Sequence, residues 1–210
     1  MTILSPVPTR RWHRRLGIVL LLPFLGWAVT GLIFFIKPGY SGAYAELRPQ
    51  FLPLGDGSGG GAVAPHADWL EMRRVRTVLG EHLLVRTAEG RLHLHAETGE
   101  PFAVPEDAAL QSLVADAIAA NAPRYGAIAR TAKAEGATAA FETTTGVHVE
   151  VDWPTLTLRQ RGTDTERIDA LYRVHYLQWT GVKAIDRVVG FAGLVGLVAL
   201  TLLGLRLALR

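Results

Sequence analysis

Two long apolar runs lie near the ends of the chain, on either side of a region of mixed polarity. Leu16 to Ile36 contains no charged side chain, and Val188 to Leu205 forms a second uncharged run. As a helix, the first run is about 31 Å long, which matches the hydrocarbon core of a bilayer. The pattern therefore predicts two transmembrane helices, over residues 16–36 and 188–209.

The charges that flank these runs predict their orientation. Arg10, Arg11, Arg14 and Arg15 lie in a basic arm, residues 1–15, directly before the first run. Basic flanks stay in the cytoplasm, and two spans place both termini on one side. We therefore expect a multi-pass protein of the bacterial inner membrane with cytoplasmic termini and a periplasmic central domain. Lys183 and Arg187 argue weakly for the reverse orientation, but the first span usually dominates.

A cleaved export signal is the alternative interpretation of the first run. Ala43-Tyr44-Ala45 resembles a signal-peptidase site. The apolar run is longer than the usual signal core of about 7–15 residues, and that site lies well beyond its end. The sequence therefore favours a retained anchor.

The region between the runs predicts a flexible linker followed by a repeated α+β domain. Residues 37–65 end in the glycine-rich stretch "PLGDGSGGGAVAP" and form the predicted linker. Alternating strands then flank turns at Ala88 to Gly90 and at Thr145-Gly146. A helix is predicted before each strand pair, at Ala67 to Arg74 and at Glu106 to Ala120. The fold class is therefore α+β, with two helix-plus-antiparallel-sheet repeats.

The domain boundaries follow from this pattern. The two repeats cover about residues 66–104 and 105–160 within a domain of residues 66–163. A juxtamembrane helix is predicted over residues 164–187. Its apolar and aromatic face would carry Ile168, Leu171, Tyr172, His175 and Trp179.

Composition excludes several kinds of chemistry. The 210 residues include no cysteine, which excludes disulfides, zinc–thiolate sites and iron–sulfur clusters. The net charge of +3 is not arranged as a nucleic-acid surface, because basic and aromatic residues do not interleave in the soluble part. No phosphate-binding loop, dinucleotide fingerprint or HExxH motif occurs. We therefore predict no catalytic residues and no nucleic-acid partner.

One strand carries a histidine pair that suggests a metal site. His93 and His95 share a strand face, where two imidazoles could hold a metal. A solvated strand face is the commoner arrangement, so no metal site is predicted. His82 and His148 have no recognisable partners in the sequence.

Particular motifs resemble the PepSY family and its associated transmembrane helices. "GRLHLHAETGE" resembles the strand pair of the PepSY module, and "WHRRLGIVLLLPFLGWAVTGL" resembles the first membrane helix of the family. "LYRVHYLQWTG", followed by a glycine-rich apolar span, resembles its last helix. The resemblance implies an α+β module held at the periplasmic face of the inner membrane.

The resemblance implies two alternative functions. One is a non-catalytic binding or regulatory module, of the kind associated with restraint of peptidases, with a protein partner or a second copy of the chain. The other is a subunit for haem-linked electron transfer or ferric-siderophore reduction, because some larger relatives carry haem. His13 and His175 match positions where haem b ligands occur in such relatives. They should lie about a bilayer apart, so one iron would need its second ligand from another chain.

Overall fold

The computed structural model describes residues 9–54, 63–135 and 138–209, with backbone alone at 132–135. Its residues cluster into a central domain, Tyr40–Thr165, and a second unit built from the two terminal segments. Seven strands and six α-helices are present in the described residues. The helices are α1 (Thr9–Ile36), α2 (Tyr40–Ala43), α3 (Asp107–Ala119), α4 (Ala122–Tyr125), α5 (Thr163–His175) and α6 (Lys183–Ala208).

The central domain holds two antiparallel sheets in sequential order. The first contains β1 (Glu71–Thr77), β2 (Gly80–Arg86) and β3 (Arg91–His95). The second contains β4 (Ile128–Glu135), β5 (Thr138–Thr143), β6 (His148–Asp152) and β7 (Thr157–Arg161). The predicted α+β class and both predicted turns, between β2 and β3 and between β5 and β6, are confirmed.

Helix α3 covers the second sheet and supplies much of the main core. The predicted helix Glu106 to Ala120 is confirmed within one residue at each end. Its apolar face packs against the fully buried ring of Phe141 on β5. The fully or nearly fully buried side chains of α3 are Leu110, Leu113, Val114, Ala117 and Ile118. Their spacing of three and four residues is what brings them onto one helical face.

The first sheet lacks the helix that the repeat predicts. Residues 67–74 form a turn and the start of β1, so the predicted helix Ala67 to Arg74 is wrong. β1 and β2 pair in unbroken register from Glu71↔Arg86 to Thr77↔Gly80. Strand pairing therefore decides the conformation of a segment whose local pattern also suits a helix. The two sheets are not equivalent helix-plus-sheet repeats.

Part of the predicted linker packs into the central domain. Leu47 is buried in the main core, and the backbone of Leu52 bridges to Arg76 on β1. The side chain of Gln50 donates a hydrogen bond to the carbonyl of Asp116 on α3. The segment before Pro53 therefore belongs to the domain. Residues 55–62 of the predicted linker lie outside the described residues.

The terminal unit contains two helices that are long and apolar enough to cross a membrane, α1 and α6. A Cβ on Gly196 would lie 3.2 Å from Leu20, so this glycine permits a close approach of α6 to α1. Gly26 and Thr30 on α1 face α5: a Cβ on Gly26 would lie 3.5 Å from Val174, and the hydroxyl oxygen of Thr30 lies 2.9 Å from His175 Nδ1.

The helix that was predicted over residues 164–187 is shorter. α5 ends at His175, and α6 begins only at Lys183. Leu177 and Gly181 adopt positive φ angles of 55° and 75°, which break a right-handed helix. Trp179 therefore lies outside α5, and its indole nitrogen donates to the carbonyl of Val174.

Candidate functional site

His175 is held in one orientation by α1. Its Nδ1 lies 2.9 Å from the hydroxyl oxygen of Thr30. That hydroxyl also lies 2.7 Å from the carbonyl of Gly26, to which it can only donate. The imidazole therefore donates from Nδ1 to Thr30, and its Nε2 keeps a lone pair. Anchoring of one ring nitrogen is the usual way in which proteins orient a histidine ligand.

The surroundings of His175 are apolar and aromatic. Its ring stacks on Trp27 at a centroid distance of 5.5 Å and meets Phe34 edge-on at 5.0 Å. A pocket of about 320 Å³ lies beside it, and α1, α6 and the turn after α5 line this pocket. Thr30 lies six residues before the end of α1, which places the imidazole about 9 Å along the helix from that end. His175 thus lies beside the apolar run.

His13 lies at a separate place in the helix pair. A Cβ on Gly204 would lie 3.2 Å from the His13 ring. Its buried Nδ1 has no hydrogen-bond partner among the described residues. His13 and Thr30 are 17 residues apart on α1, or about 25 Å along the helix. The structure therefore does not bring His13 and His175 together.

The central domain contains a buried chain of hydrogen bonds that sequence reasoning missed. His93 Nδ1 lies 2.7 Å from the carbonyl of Trp153, so it must carry the proton. His93 Nε2 then accepts from His82 Nδ1 at 2.9 Å, and His82 Nε2 accepts from the hydroxyl of Thr77 at 2.7 Å. With both rings neutral, as their burial favours, these partners fix both tautomers. We call this chain of four groups the histidine relay.

Burial governs the charge of the relay. His82 is 0% exposed, and its burial, with the proximity of His93 and His95, lowers its pKa to about 4. Burial also lowers the pKa of His93, although the bond to Trp153 opposes this. His95 stacks on Phe102 at a centroid distance of 3.9 Å. The interpretation of His93 and His95 as a solvated face is therefore wrong for His93.

The register explains why the sequence did not reveal this relay. His82 lies directly opposite His95 and diagonally opposite His93, so all three share one sheet face. Both ring nitrogens of His93 are engaged in hydrogen bonds, which leaves neither for a metal. Within the described residues, no group of three or more histidine, aspartate or glutamate side chains is placed to hold a metal ion.

A groove of the central domain lies along β7. One wall is formed by residues 156–160, and the other by the irregular segment from Ala43 to Phe51. The enclosed volume is about 650 Å³. We call this groove the β7 slot. Its lining mixes apolar side chains with arginines, threonines and Gln160, which suits a surface that binds a peptide.

A polar cluster closes one end of the β7 slot. The Gln160 amide donates to the carbonyls of Ala43 at 3.0 Å and Ala45 at 3.2 Å. Its oxygen accepts from Arg124, which also binds Asp164 at 2.7 Å. The hydrogen bond from Arg124 lowers the pKa of the Asp164 carboxyl, so the pair stays charged. These contacts fix the distance between the two walls at this end.

These features define the class of the protein. It is an α+β protein in which an antiparallel two-sheet domain lies in sequence between two helices that are apolar and long enough to cross a membrane. No protein-family model, curated protein or solved structure matches the chain. The resemblance to the PepSY family therefore stays a prediction.

Proposed function

We propose that this chain is a PepSY-like binding module anchored in the bacterial inner membrane. In this proposal α1 and α6 cross the bilayer, both termini are cytoplasmic, and the central domain binds a protein partner in the periplasm. Restraint of a peptidase is one form that such binding would take. The observation that carries the proposal is the β7 slot, a 650 Å³ groove walled by an edge strand and an irregular segment.

The lining of the slot supports binding rather than bond cleavage. Its polar side chains are mainly arginines and threonines, together with the amide of Gln160. The two histidines with lowered pKa values belong to the relay and are already paired with protein groups. A groove of backbone and arginine donors suits recognition of an extended chain.

The topology gives the first prediction. Alkaline phosphatase, which is active only in the periplasm, is fused after Leu54 in one strain and after Leu209 in another. Because Arg10 to Arg15 hold the N-terminus in the cytoplasm, we expect activity from the Leu54 fusion and little from the Leu209 fusion. A cytoplasm-active reporter at the same two positions is the control. Phosphatase activity from the Leu209 fusion alone would contradict the proposed orientation.

A haem-linked electron-transfer subunit is the second candidate, and His175 favours it. The residues fit one imidazole ligand for a haem iron: Thr30 fixes Nδ1, and Nε2 keeps its lone pair among aromatic rings beside an apolar pocket. Haem bound there would supply one-electron redox chemistry. His175 would hold the iron, Thr30 would orient the imidazole, and Trp27 would exclude water. The distance to His13 means that a second protein ligand must come from another chain.

The second prediction tests this candidate by absorption spectroscopy. The full chain is purified after expression with ample haem, and a Soret band is expected. Replacement of His175 by Ala should abolish the band, because the ligating nitrogen is lost. Thr30→Val should shift or weaken it, because the ring loses its orienting acceptor. His148→Ala, on the exposed face of β6, is the matched control and should keep the wild-type band. A band that persists in His175→Ala would exclude His175 as the ligand.

A further inference from the structure

Edge strands of a sheet expose unpaired backbone groups. In the central domain, the edge strands differ in how far other residues or register shifts protect these groups. β1 is bridged by Leu52, and β3 is bridged by Pro101. The pairing of β4 with β5 is broken by two register shifts, which is a common protection against strand addition. β7 pairs in regular register with β6, and within the described residues its other edge has no strand partner. Thus β7 is the described edge best suited to accept a strand.

The slot beside β7 has room for such a strand. It follows five successive residues of the β7 wall, from Leu156 to Gln160. An added strand would lie about 4.8 Å from β7 and would use the N–H and C=O groups of residues 157–160 that point away from β6. The closed end at Gln160 limits how far the strand can extend. Its other end adjoins a second depression of about 130 Å³, which shares Arg73 and Thr157 with the slot.

The charges that line the β7 slot and the adjoining depression favour a strand of one charge type. Two acidic side chains, Glu46 and Glu71, line the slot and the adjoining depression, and both are ion-paired with arginines. Five arginines line the same surfaces: Arg48, Arg73, Arg86, Arg91 and Arg159. The excess of positive charge favours an acidic occupant, and it disfavours a basic one by like-charge repulsion.

We propose that the β7 slot binds an extended, acidic segment of a partner polypeptide as an additional antiparallel or parallel strand on β7. The inference rests on the proposed function as a binding module and names the chemistry of the partner. Backbone hydrogen bonds to β7 supply affinity, and the arginines supply selectivity for glutamate and aspartate side chains. Proline at the pairing positions is excluded, because it cannot donate to β7.

The third prediction concerns a direct binding measurement with a defined probe. The full chain in non-ionic detergent is titrated into a blocked, fluorescent eight-residue peptide of alternating valine and glutamate, and anisotropy is read at low salt. We expect saturable binding that weakens as salt rises. The same peptide with lysine for glutamate should not bind. Two further peptides are N-methylated, one at the valines and one at the glutamates. The one whose methylated nitrogens face β7 should bind about tenfold more weakly, because backbone hydrogen bonds worth about 1 kcal/mol each are lost.

Two matched variants locate the binding on β7. Arg159→Gln should raise the Kd about threefold to fivefold, as expected for one partly exposed charge contact. Arg130→Gln removes the same charge from β4, at the opposite edge of the same sheet, and should leave the Kd unchanged. The absence of cysteine allows a second readout. Thr157→Cys should attack a peptide whose single central cysteine is activated as a 2-thiopyridyl disulfide, forming the protein–peptide disulfide and releasing pyridine-2-thione, whereas Arg130→Cys should not.

The outcomes separate this inference from the proposed function. Absence of binding by the valine–glutamate peptide, undiminished binding by both N-methylated peptides, or equal trapping at positions 157 and 130 would overturn strand addition at β7. None of these results would alter the reporter-fusion pattern that tests the membrane-anchored arrangement. Conversely, peptide binding together with an inverted reporter pattern would retain the slot and overturn the periplasmic location.

Discussion

Acidification from pH 7 to pH 4 is expected to destabilise the central domain, because a buried imidazole must then take up a proton. The pKa of His82 is about 4 in the folded protein and 6.5 without burial. The unfolded chain therefore binds the proton more readily, and stability falls as pH drops below about 6.5 and levels off near pH 4. The shift corresponds to a loss of up to about 3 kcal/mol, at about 1.4 kcal/mol per pKa unit.

The geometry of the histidine relay explains how protonation causes this loss of stability. A proton on His93 Nε2 would face the proton on His82 Nδ1, so the hydrogen-bond chain would have to break or reverse. Reversal would leave the hydroxyl of Thr77 without its present acceptor. Because these side chains are buried, water cannot readily replace the lost partner.

Urea unfolding of the full chain in non-ionic detergent at a series of pH values measures this effect. Hydrogen exchange of amides in β5 and β6 isolates the central domain. His82→Gln removes one of the two buried histidines whose pKa values are lowered and should reduce the pH dependence, with His93 contributing the remainder. His148→Gln replaces an exposed histidine of the same domain and should leave the dependence intact. An unchanged pH profile in His82→Gln would show that another group is responsible.

Replacement of Trp153 by Ala is expected to cost about 3–5 kcal/mol, as for other fully buried large aromatic side chains. Trp153 is 2% exposed, and its ring lies 4.3 Å from that of His93 and 5.2 Å from that of Phe102. Its indole nitrogen donates to the carbonyl of Phe102 at 2.8 Å. The side chain thus joins the turn after β6 to the face of the first sheet. Its loss should accelerate exchange in β2 and β6 together.

Two other variants provide reference values for the loss of stability that is expected in Trp153→Ala. Trp153→Phe keeps most of the packing and loses the indole hydrogen bond, with an expected cost of about 1–2 kcal/mol. Trp69→Ala removes a half-buried ring from the opposite face of the first sheet, where it packs on a small cluster around Leu83 and Leu94. Its expected cost is about 1–2 kcal/mol. Equal losses in Trp69→Ala and Trp153→Ala would contradict the joining role of Trp153.

The histidines of this chain divide into groups with different consequences. His82 and His93 are committed to the relay, so substitutions there act first on stability. His175 is oriented by one hydrogen bond and keeps a free nitrogen, so substitutions there test ligand binding. This separation allows the binding, haem and stability experiments to be interpreted independently.

The sequence by itself determined the helices and hairpins that are specified by residues close to one another in the chain. Long uncharged runs predicted α1 and α6, and a period of three to four residues predicted α3 with its buried side. Alternation and glycine-containing turns predicted the hairpins β2–β3 and β5–β6. These predictions succeeded because hydrophobic periodicity records burial directly along a single element.

Only the tertiary structure decided the features that depend on distant pairing. β1 replaced a predicted helix because its backbone pairs with β2 along its whole length. Leu47, which the sequence assigned to the linker, is buried in the main core among side chains that are distant in sequence. The relay depends on the register of β2 with β3 and on Trp153, 60 residues beyond His93. The β7 slot likewise exists because Gln160 holds a segment more than 100 residues earlier in the chain. Such contacts leave no periodic pattern in the sequence. The fold decides which residues meet, and the residues next to them in the chain do not record it.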